Sequence, residues 1–290
     1  MDTPATEGEP YTALANPEAV TIRGYTGSAM EPFMTRDGAF LLFNNSHAPA
    51  VDTNIQVARR VDDLTFDYVG VLAGADSKAL DGVPTLDRDG NLYFVSTRDY
   101  ESSLSTIYRG HFNGLALSDV TLVPDVSRRQ LLVVNFDVEV SADGSSLYFV
   151  DAGFSRDGVP QHADLVIADR EGDGFVRRAD SAAIMANVSS SALEYAAAIS
   201  RDQLELFFTR VGAITPDAKP TIYRAVRASI DEPFGTPSHV EGAEGFVEGP
   251  TLSPDETALY YHRCDAGICS IFRITRRPVL RPILFVGART

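Results

Sequence analysis

The chain repeats one short phrase five times. "TRDGAFLLFNN", "DRDGNLYFVSTR", "SADGSSLYFVDAG", "SRDQLELFFTR" and "SPDETALYYHR" each set an aspartate-containing turn before an apolar, aromatic run. The turn aspartates are Asp37, Asp89, Asp143, Asp202 and Asp255, at intervals of 52, 54, 59 and 53 residues. Fixed spacing on this scale marks a repeat architecture, and about fifty residues is enough for one four-stranded sheet. A single such sheet cannot bury both faces; five copies packed around an axis can, and they leave only short, protected edges.

Each repeat has the same order. An entry segment ("EPFMT", "VPTLD", "DVEVS", "AAAIS", "GPTLS") leads to the turn and the aromatic run ("FLLF", "LYFV", "LYFV", "LFFT", "LYYH"). A loop, a third run ("NIQVARR", "TIYRGHF", "DLVIADR", "TIYRAVR", "SIFRITR") and a weaker fourth follow. These runs are β-branched and aromatic, bounded by Gly, Asp and Pro, so they read as strands, and no long amphipathic helix is visible. The expected fold is all-β: a five-bladed β-propeller of four-stranded antiparallel blades over 17–290, with repeats starting near 31, 83, 137, 196 and 249. Residues 1–16 read as a flexible N-terminal segment. Closure of the ring has two readings. The tail "PVLRPILFVG" completes the last blade, which is the favoured one, or "AVTIRGY" near the start supplies the outer strand.

Pro32, Asp37 and Gly38, Pro84, Asp89 and Gly90, and Pro250 and Asp255, followed by "LYF" and "IYRA", resemble the WD40-like repeats called PD40, found in TolB-type propellers. The resemblance covers roughly residues 30–275. Val138 and Ala197 replace the proline in the third and fourth repeats, and Gln203 replaces a turn glycine. It implies the fold and says little about activity.

The net charge is −15, from 40 acidic and 25 basic residues. Such a chain repels phosphate backbones, and no Lys/Arg run is present, so nucleic-acid binding is not expected. No apolar run approaches the ~18 residues of a membrane span. Cys264 and Cys269 flank turn chemistry in "CDAGIC", and either a hairpin disulfide or two free thiols fits. A disulfide, or an export leader removed upstream, points to a periplasmic or secreted protein. A monomer is expected.

Acids stand at or near every entry: Glu31, Asp81, Asp137, Glu194 and Glu248. All five are expected at one mouth of the central channel, where crowded carboxylates raise one another's pKa and attract cations. Loops of the same face bring Asn44, Arg98, Asp151, Arg210 and Arg263, with Tyr195 nearby. This acidic mouth is the candidate site for a small polar ligand, a protein segment or a divalent metal. Five-bladed propellers also include glycoside hydrolases with catalytic acids on their entry strands. That resemblance would make Glu31 the base, Asp81 the modulator and Asp137 the acid, a pair of carboxyls about 5–9.5 Å apart being the requirement. Trp is absent, although Tyr100 or Tyr195 could stack a sugar ring. A third reading is a metal-dependent lyase or hydrolase using His47, His162 and His262. "DREGDGFVRRAD" has acids at calcium-loop offsets, but the repeat places it at a strand hairpin.

Overall fold

The computed structural model describes residues 11–46, 52–212 and 218–279. The repeated turns form for a local reason. In four of them a hydroxyl two residues before the aspartate donates to it: Thr35 to Asp37, Ser141 to Asp143, Ser200 to Asp202 and Ser253 to Asp255. The same carboxylate oxygen accepts the backbone N–H of Ala39, Ser145, Leu204 or Thr257, closing an Asx turn. In the second repeat Asp87 stands where the others have a hydroxyl. It accepts the amides of Asp89 and Asn91 instead.

Strands follow in antiparallel meanders. After β1 (Ala15–Ala19) and β2 (Thr21–Arg23), the first comprises β3 (Met30–Met34), β4 (Phe40–Asn44), β5 (Ile55–Arg60) and β6 (Thr65–Val71). The second runs through β7 (Asp81–Leu86), β8 (Asn91–Ser96), helix α1 (Tyr100–Ser103), β9 (Ile107–Phe112) and β10 (Leu117–Leu122). The third holds β11 (Val133–Val140), β12 (Ser146–Phe154), β13 (Pro160–Glu171) and β14 (Gly174–Arg177). Helix α2 (Ser181–Ile184) precedes β15 (Leu193–Ile199), β16 (Glu205–Val211), β17 (Thr221–Val226) and β18 (Ser238–His239). The last contains β19 (Val247–Leu252), β20 (Ala258–Asp265) and β21 (Ile268–Thr275). One parallel bridge, Ala163 to Leu193, joins the third and fourth meanders into an eight-stranded sheet. The segment with calcium-loop offsets is the β13–β14 hairpin, where Asp169 accepts from Ser146 and Asp180 holds Arg178.

The first strands of the meanders pack in a cycle: β3 on β7, β7 on β11, β11 on β15, β15 on β19, and β19 back on β3. The second strands are buried on both faces, which is why they read as unbroken apolar runs. In β4, Leu42 packs toward the second meander with Leu92 and Phe94. Leu41 and Phe43 pack the other way, with Tyr260 and Ile271 of the last meander. Clusters of the same kind fill every junction between consecutive meanders.

The closing strand corrects the favoured sequence reading. The position beside β21 is taken by β1, with Ala15 opposite Thr275 and Ala19 opposite Phe272. Tyr11 bridges Pro278, and the Arg276 guanidinium lies 3.9 Å from the Tyr11 ring. β2 adds a parallel edge to β6. The N-terminal segment therefore fills the edge that the tail was expected to fill, and residues from 280 onward lie outside the described residues.

Cys264 and Cys269 are directly opposite on β20 and β21 and form a disulfide. So short a closed loop stabilises by about 2 kcal/mol. Alkylation of protein made under oxidising conditions is expected to label no thiol. Cys264→Ser with Cys269→Ser should lower stability by about 2 kcal/mol or less and leave the circular dichroism spectrum unchanged.

Candidate functional site

The site begins with a backbone irregularity. Each of the five inner strands has a register shift, after Met30, Gly82, Phe136, Tyr195 and Glu248. Within each shift one residue is left-handed: Glu31 (φ 46°), Val83 (φ 52°), Asp137 (φ 55°), Ala196 (φ 51°) and Gly249 (φ 63°). Such a bulge costs a non-glycine residue on the order of 1 kcal/mol or more, and it re-aims the side chain. Only the fifth is glycine. There a Cβ would stand 2.5 Å from a Glu31 carboxylate oxygen and 3.1 Å from His262 Nδ1, so the absence of a side chain is needed for space as well as for φ.

The bulged amides point out of their own ladders, and the preceding repeat accepts four of them. Asn44 Oδ1 accepts from Val83 (2.9 Å), Asp137 Oδ2 from Ala196 (3.0 Å), Thr209 Oγ1 from Gly249 (3.2 Å) and His262 Nδ1 from Glu31 (3.2 Å). Asn44, Thr209 and His262 occupy equivalent places, opposite Met30, Tyr195 and Glu248. The third repeat has Val150 at that place, opposite Phe136, and the carboxylate of Asp137 does the accepting instead.

Glu31 and Asp137, both bulge residues, project into the channel, and Glu248 joins them from the position before Gly249. Glu31, Asp137 and Gly249 line one cavity of about 20 Å³, with Pro32, Pro84 and Pro250 on its wall. Burial, then the charges of Asp137 and Glu248, push the Glu31 carboxyl well above the usual range. Its oxygens accept no hydrogen bond among the described residues. Asp137 is pushed up to about 7, chiefly by burial, with the Ala196 amide opposing and Glu248 adding. Glu248 is held from two sides: the Tyr195 hydroxyl donates to one oxygen, and the other lies 3.2 Å from His262 Nε2. Because Nδ1 accepts the Glu31 amide, the imidazole carries its proton on Nε2 and donates to Glu248. Burial, and then Glu248, raise the Tyr195 phenol well above its usual value.

Two expected members of the cluster are elsewhere. Asp81 is fully buried, ion-paired with Arg98 (2.8 Å) and accepting the Ser77 amide. Glu194, also fully buried, pairs with Arg210 (2.7 Å) and accepts from Ser190. Both stand two residues before their bulge, and their arginines lie over aromatic rings of the second and third strands. Asn135 occupies the same place in the third repeat and donates to Asp151, which two arginines, Arg128 and Arg177, also hold.

Asp151 and the exposed His162 line a different cleft, of about 750 Å³. Arg263 lies over Phe272 and pairs with Asp265. His47 is outside the described residues. The histidines that are described do not converge: His162 stacks against Gly153 on β13, and His262 is buried with both nitrogens engaged. The His262 nitrogen and the sulfurs of Cys264 and Cys269 lie within 4.8 Å of one another, but the disulfide removes both thiolates as ligands. Sequence reasoning missed the role of His262, and the signal was its alignment with Asn44 and Thr209 at the end of the aromatic run.

No family model matches the chain, and no curated protein matches it in sequence. Solved structures match in shape. One described as a glycoside hydrolase superposes with TM-score 0.60 at 11% identity, covering 95% of this chain and 94% of that one. Zg3597 from Zobellia galactanivorans, a family 117 glycoside hydrolase, gives TM-score 0.54 at 11% identity, covering 91% and 90%. A putative TolB from Agrobacterium tumefaciens gives 0.48 at 15% identity, covering 88% and 80%. At 11% identity the likeness to the two glycoside hydrolases is one of fold, the β-propeller.

Two predictions separate the kinds of acid. Asp81→Asn leaves Arg98 beside a buried, uncharged partner and should destabilise by about 3 kcal/mol, measured by chemical unfolding. The Glu31 and Asp137 carboxyls act the other way. Their folded pKa values lie above the unfolded ones, so their contribution is greatest below about pH 4 and is lost as pH rises through about 7 for Asp137. The metal-free protein should therefore melt several degrees higher at pH 6 than at pH 8. Glu31→Gln with Asp137→Asn should flatten that dependence.

Proposed function

We propose that this chain is a five-bladed propeller of the PD40 or TolB type, with one meander per blade. Its channel mouth binds a bare cation, or the cationic group of a small ligand or protein segment, between Glu31, Asp137 and Glu248. One observation carries the reading: two carboxyls with raised pKa values, Asp137 buried and Glu31 partly exposed with oxygens that accept no hydrogen bond among the described residues, face a space of about 20 Å³. That volume suits one water or one ion. A cation there would displace protons from Glu31 and Asp137, so affinity should rise with pH. The disulfide supports an extracytoplasmic location.

Titration calorimetry with Ca²⁺ and Mg²⁺ at pH 6 and pH 8 tests the reading. Saturable binding is expected for at least one ion, tighter at pH 8, and weakened tenfold or more by Glu31→Gln with Asp137→Asn. Unchanged affinity in that variant, or no binding by either ion, would count against it.

A second reading is favoured by Asp137 itself. A carboxyl that titrates near 7 is poised to donate a proton at neutral pH, as the acid of a glycoside hydrolase does. The shape shared with glycoside hydrolases is compatible with it, with Glu31 as the base across the channel. Asp81 does not fit the modulator's part, because it is paired with Arg98. Hydrolysis of a panel of aryl glycosides, abolished by Asp137→Asn, is the outcome that would favour this reading over simple binding.

A further inference from the structure

The opposite end of the same channel is built from different chemistry. Five residues past each bulge stand Arg36, Arg88, Ala142, Arg201 and Pro254, one from each turn. All five line a single cavity of about 270 Å³, joined by Ile199, Leu252, Ser253 and Glu256. The small residues at two of the five places leave the space, and the arginines at the other three supply charge.

The two ends are separated inside. Glu139, buried in the channel wall, accepts from Thr85 on one oxygen and from Arg36 on the other (3.0 Å). Arg36 also donates to the carbonyls of Leu86 and Val140. It is thus fixed in place and its charge is balanced from within. Arg88 and Arg201 differ. Both are exposed, and neither has an acid partner among the described residues. Arg201 donates to the Pro254 carbonyl, which turns its guanidinium along the cavity rim. The acid of the lining, Glu256, accepts the Arg201 backbone amide. The turn carboxylates Asp37, Asp202 and Asp255 are bound within their own turns and do not line the cavity.

We propose that this turn end of the channel is an oxyanion site, at which Arg88 and Arg201 grip a small carboxylate- or phosphate-bearing molecule. Guanidinium forks match the two-oxygen edge of a carboxylate or phosphate and hold it by paired charge-assisted hydrogen bonds. The arrangement is notable in a chain of net charge −15, where an anion meets repulsion over most of the surface. The cavity is of the size that takes a phosphate or a di- or tricarboxylate. The proposal is independent of the acidic site at the other mouth.

The test uses metal-free full-length protein, with inorganic phosphate and citrate as probes in separate arms. Both are compared with sodium chloride at matched ionic strength, by calorimetry and thermal melting. Saturable binding of phosphate, citrate or both above the chloride baseline is expected. Arg88→Gln with Arg201→Gln should weaken it tenfold or more, and Arg88→Gln alone by several-fold. Glu31→Gln with Asp137→Asn should bind the anion as the wild type does, so loss of the cation site and loss of the anion site are read separately. Absence of saturable binding by both probes would overturn the proposal. So would unchanged affinity in Arg88→Gln, or in the double arginine variant with a wild-type circular dichroism spectrum.

Discussion

The hydrogen bond from a bulged, left-handed inner-strand residue to a side chain of the preceding repeat organises the molecule. A strand that kept perfect register would turn its amide into its own ladder and alternate its side chains without interruption. The bulge breaks both habits at once. It frees an amide that must find an acceptor, because an unpaired buried donor costs about 1–3 kcal/mol. Asn44, Asp137, Thr209 and His262 are those acceptors, and each ties one meander to the next at the channel. The apolar clusters between meanders supply most of the stabilisation, while these bonds fix how the inner strands stand relative to one another.

The same bulge decides what the channel can do. Because it turns Glu31 and Asp137 inward, carboxyls from separate strands share a space with little water, and their protons are held more tightly than in solution. Two residues past the bulge residue Asp137, the side chain of Glu139 closes the channel with Arg36 and Thr85. The axis therefore has an acidic half and a basic end, separated by an ion pair. His262 serves the first half twice, accepting the Glu31 amide and donating to Glu248, which is why it is structural support for the acids and not a free ligand.

Much of the fold was legible in the sequence. The Asp turns and the aromatic runs buried on both faces follow from local chemistry that repetition makes visible. What the sequence hid was the effect of one or two positions. Asp81 and Glu194 sit two residues before the bulge and face Arg98, just past the second strand, and Arg210, near the end of it, whereas Glu248 sits one residue before the bulge and meets Tyr195 and His262. In a strand, such offsets choose between faces, and spacing among acids alone does not reveal a bulge. The outer strand was misassigned to the tail for a related reason. Short edge strands carry a weak pattern, and Ala15–Ala19 is mostly exposed.

The central claim is that the fold holds the Glu31 and Asp137 carboxyls in the protonated-leaning state of a shared, water-poor site. Carbon-13 titration of the side-chain carboxyls in metal-free protein measures this directly. The account predicts a midpoint near 7 for Asp137 and one well above the ordinary glutamate value for Glu31. Midpoints of about 4 for both, as in model peptides, would contradict it.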